Sequence, residues 1–315
     1  MTDTVVAQAE RIAADFLPEQ AITHSYRIVD KGIDNQVCVV GTEQRKVVVR
    51  MNDQASYPSY IKEKWCIEQA ITAGIPGPEV LSIGIANDSA YMILEYIHGD
   101  NGMDSSAPRS EVWRMLGEYA PRMHTIGASG FGRNLAEPDH GQFLSPPHAG
   151  SDGSWLGFVQ HNINSLTEHD PLIKLGVLTW KQSQLVRELF ERLKGRSFRF
   201  GLNHGDLSIK NTIVGEAGLV SVIDWGNAEV DVVPHATIAQ VLMYHMLGIV
   251  ESPNEDEFNA FLDGYGLSEE DLVTTRQLLL LRAFDNLRWA IDRCPERIES
   301  FASIAKQVVE AVIHE

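Results

Sequence analysis

The stretch His204-Gly-Asp-Leu-Ser-Ile-Lys-Asn211, with Val222-Ile-Asp-Trp-Gly226 shortly after it, decides how the rest of this sequence is interpreted. The residues between the two segments form two short β-branched runs separated by Gly215-Glu-Ala-Gly218, a pattern that predicts a β-hairpin. A hairpin carries Asn211 and Asp224 on adjacent strands. We therefore expect these two side chains to lie close together in space.

Three side chains in these segments, Asp206, Asn211 and Asp224, have the types and the spacing that phosphoryl transfer from ATP requires. In that chemistry one carboxylate accepts the proton of the attacking hydroxyl, while amide and carboxylate oxygens hold the Mg²⁺ ions that bridge the phosphates. Oxygen ligands suit Mg²⁺ because it is a hard cation. The spacing predicts Asp206 as the catalytic base and Asn211 and Asp224 as Mg²⁺ ligands.

Composition limits the classes of partner. The chain has 315 residues and a formal net charge of −17, which disfavours nucleic acid because a phosphate backbone requires a basic face. The acidic excess favours a cationic substrate, or serves only to keep the protein in solution. No run approaches the roughly 18 apolar residues of a membrane span, and the opening residues lack a secretory signal. With three scattered cysteines, we expect a cytoplasmic protein without a membrane partner.

The chain reads as a β-rich part followed by a helical part. Gln36–Val40 and Lys46–Met51 predict an antiparallel hairpin, residues 60–73 a long helix, and residues 90–96 a further strand. We predict an α+β, bilobal protein-kinase-like fold, with residues 1–97 as the nucleotide-binding lobe and residues 98–315 as the catalytic and substrate-binding lobe. Residues 130–154 are rich in Gly, Pro and His, and we expect them to form no regular element.

Several residues of the first part are candidates for the nucleotide site. Arg50 closes the second strand of the hairpin, where a kinase presents its phosphate-binding Lys, and Glu63 follows on the helix, where its acidic partner is expected. Gly32 and Asn35 belong to a turn before the hairpin, where backbone amides can approach phosphates. Glu68 and Lys62 are competing charges that we expect to be exposed.

The segment Glu95-Tyr96-Ile97 ends a predicted strand at the boundary between the two parts. Backbone groups at such a boundary can pair with the edge of an adenine ring. We expect Glu95 and Ile97 to form the nucleotide hinge, with ATP as the nucleotide and GTP as a possible substitute.

Taken together, these segments resemble the aminoglycoside phosphotransferase family of protein-kinase-like enzymes, whose relatives include choline, methylthioribose, ketosamine and some homoserine kinases. The segments that carry the resemblance are His204-Gly-Asp206 with Asn211, Ile223-Asp-Trp225, Arg50, Glu63 followed by Gly74-Ile-Pro76, Met92-Ile-Leu-Glu95, and Leu116-Gly117 leading to His124. The resemblance implies the same roles as above: Asp206 as base, Asn211 and Asp224 on Mg²⁺, Arg50 on phosphates, and Glu95 with Ile97 at the hinge.

One departure from the family pattern and one from the protein-kinase pattern concern the catalytic loop. Thr237 stands where a structural Asp is usual, which removes one expected contact that supports the loop. Like the family, and unlike protein kinases, the chain has Ser208 in place of a Lys two residues after Asp206. Lys210 is a candidate for supplying that charge, although an exposed Lys at this position is also an ordinary surface residue.

A helix near the end of the chain is the candidate acceptor site. Asp285, Trp289 and Asp292 share one face by their spacing, and two carboxylates with an indole can bind an ammonium group. The alternative is an amphipathic helix whose Trp packs into the lobe while Arg288 and Arg293 pair with the acids at the surface.

We therefore expect a small-molecule kinase whose acceptor hydroxyl belongs to a cationic compound, with an aminoglycoside-type antibiotic favoured. A metabolic kinase for choline, homoserine or an amino sugar is the first alternative. A catalytically silent nucleotide-binding module is the second. The sequence does not indicate an oligomeric state.

Overall fold

The computed structural model describes residues 3–17, 21–29, 35–148 and 150–313. The helices in these ranges are α1 (Thr4–Phe16), α2 (Tyr57–Thr72), α3 (Arg109–Met123), α4 (Trp155–Ser165), α5 (Pro171–Lys174), α6 (Trp180–Lys194), α7 (His235–Leu247), α8 (Glu255–Tyr265), α9 (Glu269–Arg293) and α10 (Ile298–Ile313). The strands are β1 (Ile22–Ile28), β2 (Gln36–Thr42), β3 (Lys46–Asp53), β4 (Val80–Ala86), β5 (Ser89–Glu95), β6 (Asp100–Asn101), β7 (Ser129–Phe131), β8 (Asn134–Glu137), β9 (Gln142–Leu144), β10 (Arg199–Asn203), β11 (Thr212–Val214), β12 (Val220–Val222) and β13 (Glu229–Val233).

The chain divides into two compact units, neither of which is continuous in sequence. The first unit comprises Met1–Ser105 with Asn211–Gly226, and the second comprises Ser106–Lys210 with Asn227–Glu315. The first unit is built on an antiparallel sheet and the second is mainly helical, so the predicted α+β fold class is confirmed. No helix within the described ranges is long and apolar enough to cross a membrane.

The first unit is built on a five-stranded antiparallel sheet with the order β1-β2-β3-β5-β4. The predicted hairpin is formed by β2 and β3, with Val39 opposite Val48. Alternate residues of β3, including Val47 and Val49, are fully buried, and Ala9 and Ala13 of α1 pack in the same apolar cluster. The small alanine side chains let α1 pack closely on the sheet, and Arg50 lies on β3 three residues before its last residue.

The second sheet of the first unit carries the hairpin predicted from the central motif. Strands β12, β11 and β6 pair in that order, and Thr212 lies opposite Val222. Beyond the last register pair, the Ile223 amide donates to the Asn211 carbonyl at 3.0 Å. The hairpin thus extends to Asn211 and ends directly before Asp224.

The second unit has a core formed mainly by its helices. Buried side chains of α4, α6, α9 and α10 form one apolar cluster that includes Val159, Phe190, Phe284 and Val308. The two-stranded antiparallel ribbon of β10 and β13 runs beside it, and the loop with Asp206 leaves the end of β10. The helical packing therefore supports the ribbon from which the catalytic loop emerges.

The expectation that residues 130–154 form no regular element is wrong. They contain most of a small sheet of the order β7-β9-β8, with β7 parallel to β9. Phe143 is fully buried and Phe131 nearly so, which anchors the sheet to the second unit. Gly130 has a φ of 91°, and a Cβ on it would lie 2.0 Å from the Phe143 carbonyl oxygen, so the glycine permits the strand pairing.

Candidate active site

Arg50 is the centre of a buried ionic network in the first unit. Its Nη1 donates to Glu63 Oε1 in a short hydrogen bond, and its Nη2 donates to Asp224 Oδ1 at 3.0 Å. Arg50 is only 7% exposed. Burial alone lowers the pKa of a guanidinium, but Glu63 and Asp224 outweigh it and raise the pKa of Arg50, which is therefore permanently charged. The network joins a strand, a helix and the hairpin around one cation.

Helix α2 supplies two buried charges to this network. Glu63 is 2% exposed, and burial raises the pKa of its carboxyl while Arg50 opposes the rise. Lys62 was expected to be exposed, but it is buried and its Nζ donates to the Gly226 carbonyl at 2.6 Å. The prediction that Lys62 is exposed is wrong because the long lysine stem is covered by protein while its amine reaches a backbone oxygen. Glu68 is exposed, as expected, and pairs with Lys64.

Asn211 and Asp224 provide oxygen ligands of the kind that Mg²⁺ prefers. Asn211 is buried, whereas the Asp224 side chain is 46% exposed and presents its carboxylate to solvent as well as to Arg50. Asp224 has a φ of 63°, a left-handed conformation that is uncommon outside glycine and that concentrates at functional sites. Within the described ranges, no group of three His, Cys, Asp or Glu residues is arranged to bind a metal ion. The assignment of Asn211 and Asp224 as Mg²⁺ ligands stays a prediction.

The turn that precedes the hairpin is described only in part. Gly32 lies outside the described residues. Asn35 Oδ1 accepts hydrogen bonds from Tyr60 OH at 2.9 Å and from Asn52 Nδ2 at 3.2 Å. The Asn35 side chain thus ties the start of β2 to α2 and β3, and contact of this turn with phosphates stays a prediction.

The predicted hinge follows β5. The Glu95 amide donates to the Glu79 carbonyl at 2.9 Å, so that amide is engaged within the sheet. Within the described ranges, no hydrogen bond involves the backbone of Ile97, and contact of this segment with an adenine ring stays a prediction. A cleft of about 490 Å³ borders this segment, lined by residues 74–77, 95–98, 219 and 221. Arg50 and Asp224 are not among those residues, so the cleft is separate from the ionic network.

Asp206 belongs to the second unit, where both of its carboxylate oxygens have neighbours. Tyr244 OH donates to Oδ1 in a short hydrogen bond, and Lys210 Nζ lies 3.5 Å from Oδ2. Lys210 also lies 3.9 Å from Glu251 Oε1. Ser208 is fully buried, so the position two residues after Asp206 cannot present a group to a ligand. Of Ser208 and Lys210, only Lys210 places a charge near Asp206.

The backbone around Asp206 is fixed by close packing. Gly205 has a φ of 76°, and a Cβ on it would lie 2.0 Å from the Asn227 carbonyl oxygen, so the site accepts only glycine. His204 is fully buried, and its Nδ1 accepts from the Asp206 amide at 3.3 Å. His204 therefore supports the loop.

The proposed acceptor residues lie on α9 of the same unit as Asp206. Arg288 turns inward, with Nη2 donating to Asp170 at 2.6 Å and Nη1 donating to Asn162 at 2.9 Å. Arg288 therefore does not pair with Asp285, whereas the amphipathic-helix alternative expects it to pair with the acids at the surface. Trp289 is 48% exposed and is not packed in the core. Asp285 is half-buried and Asp292 is exposed.

Arg133, which the sequence did not single out, lies among carboxylates of this unit. Its Nε donates to Glu229 Oε2 at 3.0 Å, while its side chain is 61% exposed. Glu229 first, and then Asp285 and Asp206, raise the pKa of the Arg133 guanidinium, so all three carboxylates lie within electrostatic range of it. The small sheet of residues 129–144 is what brings Arg133 here, through the two 2.9 Å hydrogen bonds between Gly132 and Val230.

Arg133 and Tyr244 are the residues of this site that the sequence did not reveal. Arg133 follows a Gly-rich segment that predicts only irregular structure. Tyr244 lies far from Asp206 in sequence, and no motif links the two. Tyr244 follows Gln240, another residue of α7, by four residues, and this helical spacing was the only feature of the sequence that could have placed both on one side of the helix.

Comparison with known proteins is informative at this point. A sequence model of the phosphotransferase enzyme family matches residues 25–270. A search of curated proteins returned no match.

Solved structures share the fold over nearly the whole chain. The crystal structure of aminoglycoside phosphotransferase APH(4)-Ia is 18% identical, with a TM-score of 0.68, 96% of this chain covered and 98% of that chain. A protein named as a candidate fructosamine-3-kinase from Haemophilus somnus 129PT is 14% identical, with a TM-score of 0.62 and 99% of both chains covered. Spectinomycin phosphotransferase APH(9)-Ia, in complex with ADP and spectinomycin, is 15% identical, with a TM-score of 0.53, 96% of this chain covered and 97% of that chain. At these identities the likeness establishes the fold.

Proposed function

The chain belongs to the phosphotransferase enzyme family, and from that premise we propose that it is an ATP-dependent small-molecule kinase acting on a hydroxyl group. The acceptor oxygen forms a bond to the γ-phosphorus while the bond from that phosphorus to the β-phosphate oxygen breaks. ADP leaves, and the hydroxyl proton passes to Asp206. GTP is the alternative donor, and we keep the cytoplasmic location as a prediction.

The observation that carries this proposal is the Arg50 network. One buried guanidinium contacts both Glu63 and Asp224, so the residue that we propose to bind phosphate and a residue that we propose to bind Mg²⁺ lie together in the first unit. The Asp224 side chain is 46% exposed, so its carboxylate is accessible to an ion from solvent. Asn211 and Asp224 would hold the Mg²⁺, which neutralises charge on the phosphates when bound.

A cationic acceptor of the aminoglycoside type is supported by charge and by α9. The net charge of −17 favours cations, and the half-exposed Trp289 with Asp285 and Asp292 offers an aromatic face and carboxylates to an ammonium group. Arg288 does not neutralise Asp285, because it is paired with Asp170. Two of the structures with the same fold are aminoglycoside and spectinomycin phosphotransferases.

Arg133 favours a second candidate, a metabolic kinase. A guanidinium within electrostatic range of Asp206 and Asp285 repels a polycation but can bind a carboxylate. An acceptor with both an ammonium and a carboxylate, such as homoserine, would use Asp285 and Arg133 together. An amino sugar or choline would use Asp285 alone, and one protein of the same fold is named as a candidate fructosamine-3-kinase.

The test is Mg²⁺-dependent ADP release from ATP with a panel of aminoglycosides, spectinomycin, choline, homoserine and amino sugars. We expect turnover with one class, and a loss of at least about 100-fold in Asp206→Asn, because general-base catalysis contributes about that much. Arg133→Gln divides the candidates. It raises KM for a carboxylate-bearing acceptor and lowers KM for an aminoglycoside or choline, because the variant loses a guanidinium that attracts a carboxylate and repels a cation.

Three outcomes contradict parts of the proposal. ATP binding without turnover on any acceptor indicates a silent nucleotide-binding module. Full activity of Asp206→Asn would show that Asp206 is not the base. Full Mg²⁺-dependent activity of Asp224→Ala would show that Asp224 is not needed to bind the metal.

A further inference from the structure

Helix α7 turns one polar face toward the catalytic loop. Thr237, Gln240 and Tyr244 follow one another at spacings of three and four residues, which places them on one side of the helix. Thr237 Oγ1 donates to Asn203 Oδ1 at 2.6 Å, before the loop begins. The other two residues contact the loop at Asp206 and at the residue after it.

Gln240 binds both backbone groups of Leu207. The Leu207 amide donates to Gln240 Oε1 at 2.8 Å, and Gln240 Nε2 donates to the Leu207 carbonyl at 3.2 Å. A side-chain amide has both a donor and an acceptor, whereas an ionised carboxylate only accepts. Gln240 therefore fixes the orientation of the peptide next to Asp206 in a way that a carboxylate at the same place cannot.

Tyr244 contacts the Asp206 carboxylate itself. Its hydroxyl donates to Oδ1, and burial followed by the Asp206 charge raises the pKa of Tyr244, so the hydroxyl stays a donor at neutral pH. The Tyr244 carbonyl accepts from Ser252 Oγ at 2.5 Å and from the Gly248 amide at 3.2 Å. The helix end that carries the tyrosine is thus itself held in place.

We propose that Gln240 and Tyr244 are positioning residues for the base Asp206, and that they take over the support that the family draws from an Asp at position 237. Gln240 sets the loop backbone, and Tyr244 holds Oδ1 so that Oδ2 is directed to the acceptor hydroxyl. Lys210 Nζ lies 3.5 Å from Oδ2, so that oxygen has a cation as its neighbour. The assignment of Asp206 as base rests on the proposed function.

The experiment compares Tyr244→Phe and Gln240→Glu with the wild type, using Tyr119→Phe as the matched loss of one hydroxyl elsewhere in the second unit. Both positioning variants are expected to lower kcat by about 10- to 100-fold with KM for ATP and acceptor within about threefold, because a small misplacement of a catalytic group costs that much. Tyr119→Phe leaves kcat unchanged. In an Asp206→Asn background, Tyr244→Phe has no further effect, since it acts through the carboxylate.

Three results overturn the inference: an unchanged kcat in both variants, a rise in KM alone, or an additional rate loss in the Asp206→Asn background. Hydrogen exchange of the peptide 203–211 adds a readout independent of turnover. Gln240→Met, which lacks the oxygen that accepts from the Leu207 amide, should speed exchange at that amide by at least about tenfold. Unchanged exchange contradicts the inference even if the proposed kinase activity is absent, so the two failures are separable.

Discussion

Arg50 shows at the scale of a single residue how a substitution in a motif can be chemically consistent. The expected kinase residue at this position is a lysine, which offers a compact charge on a flexible stem. The guanidinium instead has separate nitrogens, and it uses Nη1 for Glu63 and Nη2 for Asp224. The two terminal nitrogens of the guanidinium permit one side chain to bind two carboxylates at a fixed distance from each other.

We expect Arg50→Lys to fold but to lose nucleotide binding, because a single ammonium cannot hold both carboxylates in the same geometry. KM for ATP should rise about tenfold or more. Arg50→Met leaves Glu63 buried without its partner, so the free energy of unfolding of this variant should be lower than that of the wild type by about 3–5 kcal/mol. Urea unfolding and ATP saturation curves measure the two effects. Equal stability of Arg50→Met and the wild type would show that Glu63 does not depend on Arg50.

The residues of this network differ in how far the sequence could predict them. The sequence singled out Arg50, Glu63 and Asp224 because they lie in recognisable local segments. Lys62 was placed at the surface because helical spacing reports exposure and not the reach of a long side chain. Its contact with the Gly226 carbonyl depends on the packing of α2 in the first unit, which no local pattern encodes.

At the scale of elements, α9 presents a stretch that differs from an ordinary amphipathic helix. Its Phe284 and Leu287 are fully buried and Arg288 turns inward, while Trp289 is 48% exposed. A large indole in that position, next to half-buried Asp285, is a feature that core packing does not explain.

We expect Trp289→Leu to raise KM for a cationic acceptor by about 2- to 30-fold, the range given by an ammonium–indole contact of 0.5–2 kcal/mol. KM for ATP should not change, since the hinge residues lie in the first unit. Steady-state kinetics with acceptor and ATP varied separately measure both values. Val273→Ala, an exposed position nearer the start of the same helix, is the control. A rise in KM for ATP alone would remove α9 from the acceptor site.

The small sheet of β7, β8 and β9 and the contact of α7 with Asp206 were the least predictable features. The sequence indicated the β2–β3 and β11–β12 hairpins because each has its own turn. Residues 130–154 were expected to be irregular because their glycines and prolines conceal a sheet that forms only when Phe131 and Phe143 are buried. The support of Asp206 by α7 was equally invisible, since it joins two elements without a shared motif.

At the scale of the whole molecule, a buried histidine links stability to pH. His124 Nε2 lies 3.1 Å from Thr237 Oγ1, and its Nδ1 lies 2.9 Å from Tyr265 OH. Burial first, and then the charge of Arg199, lower its pKa from 6.5 to about 3. The native protein therefore keeps this imidazole neutral over a pH range in which the unfolded chain protonates it.

The sign of the effect follows from that difference. As pH falls below about 6.5, the unfolded state binds a proton that the native state refuses, so the free energy of unfolding falls by up to about 1.4 kcal/mol per pH unit until about pH 3. We expect His124→Gln to be less stable than the wild type at pH 8 and to lose less stability between pH 6.5 and 4. Urea unfolding at a series of pH values tests this. Parallel curves for the two proteins would contradict it.

The predicted boundary after residue 97 stays a prediction, and the compact units follow another division. The first unit takes back Asn211–Gly226 from the middle of the second, so the chain passes between the units three times. Because neither unit is continuous in sequence, no single segment of the gene encodes either unit. A single recombination point at residue 105 would transplant a sheet without the hairpin that bears Asn211 and Asp224. A laboratory chimera therefore requires three crossovers to transfer either unit intact.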